Sequence, residues 1–129
     1  MIGLDTGFFI RLLENKKEAV RIWQGIVEGE ESSVSCLTIF ELKRLSLKKA
    51  IDEETTGLLI DAILSICKVS WIDRKEILLM GANLSHGLGI PAVDALILTG
   101  FLVLNVNTIY TTDSHLELFY KKGIKILKV

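Results

Sequence analysis

Proline is nearly missing from this chain, one in 129 residues, and histidine and cysteine occur only twice each. With so few helix breakers, long segments are free to form regular structure. Cys36 and Cys67 are far apart, show no Cys-x-x-Cys spacing and have no histidine placed to complete a zinc site. They are expected to be free thiols, buried in a protein of the reducing cytoplasm. An excess of charge of one sign is missing too: 15 basic residues face 16 acidic ones, a net charge of -1, so any nucleic-acid surface must be local. The longest apolar run, Ala95–Val106, contains Thr99, Gly100 and Asn105 and falls short of the roughly 20 residues of a membrane span. The N-terminal stretch lacks a basic region followed by a small-residue cleavage site, so no export signal is expected.

What is present is apolar. Hydrophobic residues make up 50% of the chain and charged ones 24%, with a mean hydropathy of +0.44. That balance excludes a disordered chain and predicts one folded domain over residues 1–129. Short apolar runs at Met1–Leu4, Val34–Leu37, Val69–Ile72, Thr108–Thr111 and Ile124–Val129 predict strands. Between them, helical spacing joins Ala19, Ile22, Trp23 and Ile26, then Leu59, Ile63, Ile66 and Cys67, then Ile77, Met80 and Leu84. Strands separated by helices need crossover connections, which predicts an α/β fold: a three-layer α/β/α sandwich with a mainly parallel five-stranded sheet. Asp73 with Glu76, Thr38 with Glu41 and Ser114 with Glu117 have capping-box spacing, and Pro91 suits a first helical turn. Residues 28–33 and 86–89 are expected to be loops.

In an open parallel sheet, ligands sit beyond the carboxyl ends of the strands. Four acids fall there: Asp5 and Asp113 at strand ends, Glu41 one turn into the helix after the second strand, and Asp94 just after Pro91. Each has an ordinary alternative. Asp94 is a first-turn acid favoured by the helix dipole, Glu41 a capping-box partner of Thr38, and Asp5 and Asp113 turn or cap residues. Asp94 stands out because its neighbours are apolar, and a carboxylate buried among them is costly unless compensated. Clustered carboxylates raise one another's pKa unless a cation neutralises them, and a hard divalent ion such as Mg2+ or Mn2+ does so with oxygen ligands.

The segments Met1-Ile-Gly-Leu-Asp-Thr6, Thr38-Ile-Phe-Glu-Leu42, Asp94-Ala-Leu-Ile-Leu98 and Thr111-Thr-Asp-Ser-His-Leu116, in this order and spacing, resemble the PIN-domain ribonucleases. The VapC-type toxins of prokaryotic toxin-antitoxin pairs are the most similar of these. The resemblance spans nearly the whole chain. It implies an acidic metal-binding and catalytic quartet of Asp5, Glu41, Asp94 and Asp113, with Thr6 and Thr111 as hydroxyls that order the site. The implied activity is Mg2+- or Mn2+-dependent hydrolysis of RNA phosphodiester bonds. A homodimer and silencing by an antitoxin protein are implied as well. The chain departs from the family at Gly7, where serine or asparagine is more common. Thr112 and Glu117 lie near the fourth acid but are left outside the core site.

RNA needs positive charge around an acidic mouth, and Arg11, Lys43, Arg44 and Lys48 are the candidates; a solvated helix face is the plainer explanation for any one of them. Lys121, Lys122, Lys125 and Lys128 are expected to be solubilising charges. The segment Asp52–Lys68 carries more apolar residues than one core-facing stripe needs, which points either to an interface or to a helix buried on several sides. Two other function classes remain. A phosphoacceptor receiver domain has similar length and α/β alternation but requires an acidic pair after the first strand, where this chain has Asp5-Thr6-Gly7. A PIN-like module that binds RNA or protein without cutting differs from a nuclease only in lacking cleavage.

Overall fold

β1 (Ile2–Leu4) is followed by α1 (Thr6–Leu13) and α2 (Lys17–Val27), then by β2 (Ser32–Ser35), α3 (Cys36–Leu47) and α4 (Glu53–Ile66). The second half comprises β3 (Lys68–Ser70), α5 (Lys75–Leu88), α6 (Ala92–Val103), β4 (Thr108–Thr111), a 3₁₀ turn over Ser114–Leu118, and β5 (Lys125–Lys128). These elements come from a computed structural model that describes residues 1–129. All strand pairs are parallel, and the order is β3-β2-β1-β4-β5. The chain leaves β1 toward one edge and later returns to β1's other side with β4, so the topological switch point lies between β1 and β4.

The central strands alternate their side chains between two cores. Ile2, Leu4 and Val34 join Phe8, Phe9, Ile22, Ile26, Leu42 and Ile63 on the face covered by α1 to α4. Ile109 joins Leu98, Phe101 and Val106 on the α6 face. Gly3 permits that second contact, since a Cβ there would come within 3.0 Å of Phe101 and Val106. Gly100 does the same farther along α6, where a Cβ would lie 2.5 Å from Ser70 Oγ. No helix is long and apolar enough to cross a membrane.

Five local expectations are corrected, one of them the loop expected over 86–89, where α5 runs on through Leu88 to its cap at Gly89. β2 starts at Ser32 and ends at Ser35, so part of the expected loop over residues 28–33 is strand and the expected strand over Val34–Leu37 gives way to helix at Cys36. A buried strand that is three-quarters serine carries no apolar alternation to reveal it. None of the capping boxes forms: Ser35 caps α3, Asp113 caps the 3₁₀ turn, and Arg74 precedes α5 without a side-chain cap. Pro91 occupies the cap position of α6, one residue before its first turn. Cys36 and Cys67 are both free, with Cys67 buried and Cys36 partly so. On α4, Leu59 and Ile63 are buried while Leu58, Leu64 and Ile66 are exposed, so the helix is buried on one face only.

Candidate metal centre

Asp5 is fixed where β1 becomes α1. As the N-cap of α1 it accepts the Phe8 N–H at 2.9 Å on Oδ1. Its other oxygen accepts from the Thr111 hydroxyl at the end of β4. Thr111 Oγ1 in turn accepts the Asp113 N–H at 2.8 Å, so one hydroxyl ties the first acid to the fourth across the switch point. Burial raises the Asp5 pKa; the hydrogen bonds from Thr111 and Phe8 oppose the shift, and the Asp113 charge adds to it.

Glu41 reaches the same place from α3. Because Ser35 takes over the cap by accepting the Leu37 N–H at 3.1 Å, Thr38 and Glu41 are released from capping. The Thr6 hydroxyl donates to Glu41 Oε1 at 2.5 Å and lies 3.0 Å from the Thr38 hydroxyl. Thr38, which the sequence suggested only as a cap, is therefore fully buried support for the site. Asp94 sits in the first turn of α6, where the helix dipole favours it. Its pKa is nevertheless pushed up to about 7, first by burial, then by a hydrogen bond with Asp113 and by the charges of Asp113, Glu41 and Asp5. Asp113 moves the other way. Its own burial would raise it, but the hydrogen bonds from Asp94 and from the His115 backbone and ring outweigh that. His115 Nδ1 lies 2.8 Å from Asp113 Oδ1.

The four acids line one cleft of about 300 Å³ with Thr6, Gly7, Thr112, Arg44 and Lys48. No lysine or arginine forms an ion pair with any of them; the chain's Arg pairs are Arg11 with Glu14 and Arg74 with Asp73. Four carboxylates drawn together with no lysine or arginine paired to them fit a hard divalent ion, whose ligands are oxygens. Ligand atoms of Asp94, Asp113 and His115 all lie within 4.8 Å of one another. Asp5 and Glu41 line the same cleft as Asp94 and Asp113 but are not part of that closest group.

The basic candidates divide. Arg44 near the end of α3 and Lys48 at its C-cap, four residues apart, line the cleft. Arg11 does not; it pairs with Glu14 at 3.3 Å and faces a separate surface beside Lys16 and Val129. Lys43 is exposed and outside the cleft lining. The side chains of Arg11 and Lys43 point elsewhere because they lie on other faces of their helices.

With this geometry in place, comparison with known families is direct: residues 2–122 match the PIN domain. The chain belongs to the PIN domain family. Solved structures share this PIN fold along their full lengths. VapBC2 from Rickettsia felis, bound to a DNA fragment from its promoter, superposes with a TM-score of 0.75 at 15% identity, covering 99% of this chain and 98% of that one. DNA-bound VapBC from Salmonella typhimurium gives 0.72 at 20% identity, with 98% and 96% covered. VapBC-1 from nontypeable Haemophilus influenzae gives 0.72 at 20% identity, with 99% and 98% covered. No curated protein matches the sequence. The PIN fold accounts for the switch-point placement of Asp5 and Asp113, and the parallel sheet agrees with the sequence expectation.

Proposed function

We propose that this PIN domain is a Mg2+- or Mn2+-dependent ribonuclease that hydrolyses RNA phosphodiester bonds and serves as the cytoplasmic toxin of a toxin-antitoxin pair. The observation that carries this reading is the meeting of Asp5, Glu41, Asp94 and Asp113 in one cleft with no lysine or arginine in ion-pair contact with any of them. A bound divalent ion would lower the pKa of an attacking water and offset charge on the phosphate. The chain's own groups supply the rest. Thr111 ties the Asp5 carboxylate to the Asp113 backbone, and Thr6 donates a hydrogen bond to Glu41 at the cleft. Arg44 and Lys48 attract the RNA backbone and hold it against the acidic mouth.

The likeness to VapBC structures supports an antitoxin partner. Phe40 and Leu47 on α3 and Leu58 on α4 are exposed apolar side chains beside the helix that carries Glu41, suited to receive an antitoxin segment. Leu78 and Leu79 on α5 are exposed as well, and we assign them to a homodimer contact.

The deciding experiment compares cleavage of structured and single-stranded RNAs by the wild type and Asp94→Asn, with Mn2+ or with EDTA. Cutting by the wild type that requires both the ion and Asp94 is expected. RNA binding without ion-dependent cutting would instead make the protein a non-cleaving module.

A further inference from the structure

Gly7 lies in the first turn of α1, against the segment that leaves β4. A Cβ on Gly7 would stand 1.8 Å from the Thr112 hydroxyl oxygen and 2.9 Å from Thr112 Cβ, well inside any allowed contact. The space a side chain at position 7 would fill is thus already taken by Thr112, reaching over from the other side of the switch point. Thr112 is half-buried and lines the acidic cleft beside Asp5 and Asp113.

The other hydroxyls of the site are engaged within the protein: Thr6 with Glu41, Thr38 with Thr6, and Thr111 with Asp5. The Thr112 hydroxyl has no such partner, and the Asp5 oxygens beside it are occupied by Phe8 N–H and Thr111. A free donor at the mouth, facing the same cleft as Arg44 and Lys48, suits an anionic ligand that offers only acceptors. A phosphodiester is such a ligand, and near four carboxylates it needs every donor it can find.

Building on the ribonuclease reading, we propose that Thr112 is a substrate-binding residue whose hydroxyl donates to a phosphate oxygen of the RNA. Gly7 is the residue that admits it. Thr112 and a side chain at position 7 are alternative occupants of one volume, so the hydroxyl can be supplied from either strand end but not from both.

The test measures binding of a fluorescein-labelled single-stranded RNA by anisotropy in the non-cleaving Asp94→Asn background, alongside Tm and the KM of Mn2+-dependent cleavage in the wild-type background. Thr112→Val, which keeps shape and removes the hydroxyl, is expected to weaken RNA binding and raise KM about fivefold, the size of one hydrogen bond, with Tm unchanged. Thr112→Ser retains both values. Gly7→Ser alone lowers Tm through the clash, and adding Thr112→Ala restores Tm and RNA affinity together. RNA affinity and KM unchanged in Thr112→Val overturn the inference while leaving the nuclease reading intact, as does a Gly7→Ser/Thr112→Ala protein that folds but binds no better than Thr112→Ala. Absence of RNA binding and cleavage in the parental proteins overturns both.

Discussion

Asp94 holds a proton near neutrality because it is partly buried and faces Asp113, Glu41 and Asp5. Its pKa is raised above the ordinary 3.8, so between about pH 4 and about 7 the folded chain keeps a proton that the unfolded chain has lost. Stability without metal therefore falls as pH rises through that window. Asp113, shifted downward, contributes its opposite slope only below the ordinary carboxylate value, so the two effects do not overlap. Melting curves from pH 4.5 to 7.5 should show this decline in the metal-free wild type and a shallower one in Asp94→Asn, where Asp5, also raised by burial, still contributes the same sign. Thr111 is the other residue on which the site turns, since its single hydroxyl serves both a buried carboxylate and the Asp113 N–H. Thr111→Val takes one partner from each and should cost about 1–3 kcal/mol by denaturant unfolding. Asp94→Asn should reduce cleavage on the order of 100-fold or more, as removing a group that stabilises transition-state charge does.

Among the elements, α6 is the one whose seating decides the site, because it carries Asp94 while its other faces lie against the sheet and α5. Gly100→Ala would drive a methyl to 2.5 Å from Ser70 Oγ and should destabilise by about 1–3 kcal/mol, with Ser70→Ala relieving part of the loss. On α3, replacing Arg44 and Lys48 together by alanine should weaken single-stranded RNA binding and flatten its dependence on salt by about 1.4 in log-log slope. The acids at the ends of β1 and β4 were legible in the sequence because strand ends are marked by the change from apolar to polar residues. The seating of Glu41 was only half legible. Thr38 and Glu41 have cap spacing, but Ser35 begins the helix three residues earlier, and spacing alone does not tell a cap from a first interior turn. β2 was displaced because its serines are buried by neighbours rather than by their own hydrophobicity. The exchange of space between Gly7 and Thr112 leaves no trace in either segment read alone, since it joins residues that only the folding of β1 beside β4 brings together.

For the molecule as a whole, an ion held in the cleft would couple its binding to folding. An ion bound only by the native state should stabilise it by about 2.7 kcal/mol at a hundredfold excess over Kd, so Mn2+ should raise the Tm by several degrees. EDTA should return it to the metal-free value, and Asp94→Asn should show little response. The sheet order adds a constraint on timing. Asp5 and Thr111, whose hydrogen bond closes the centre, are separated by 106 positions, and β4 inserts beside β1 in the middle of the sheet. A chain made from its N-terminus holds Asp5 long before β4 exists to set Asp113 beside it. Fragments that stop before β4 therefore carry three of the four acids but not the cleft, and the site comes into being in a single late step, with the closing of the sheet.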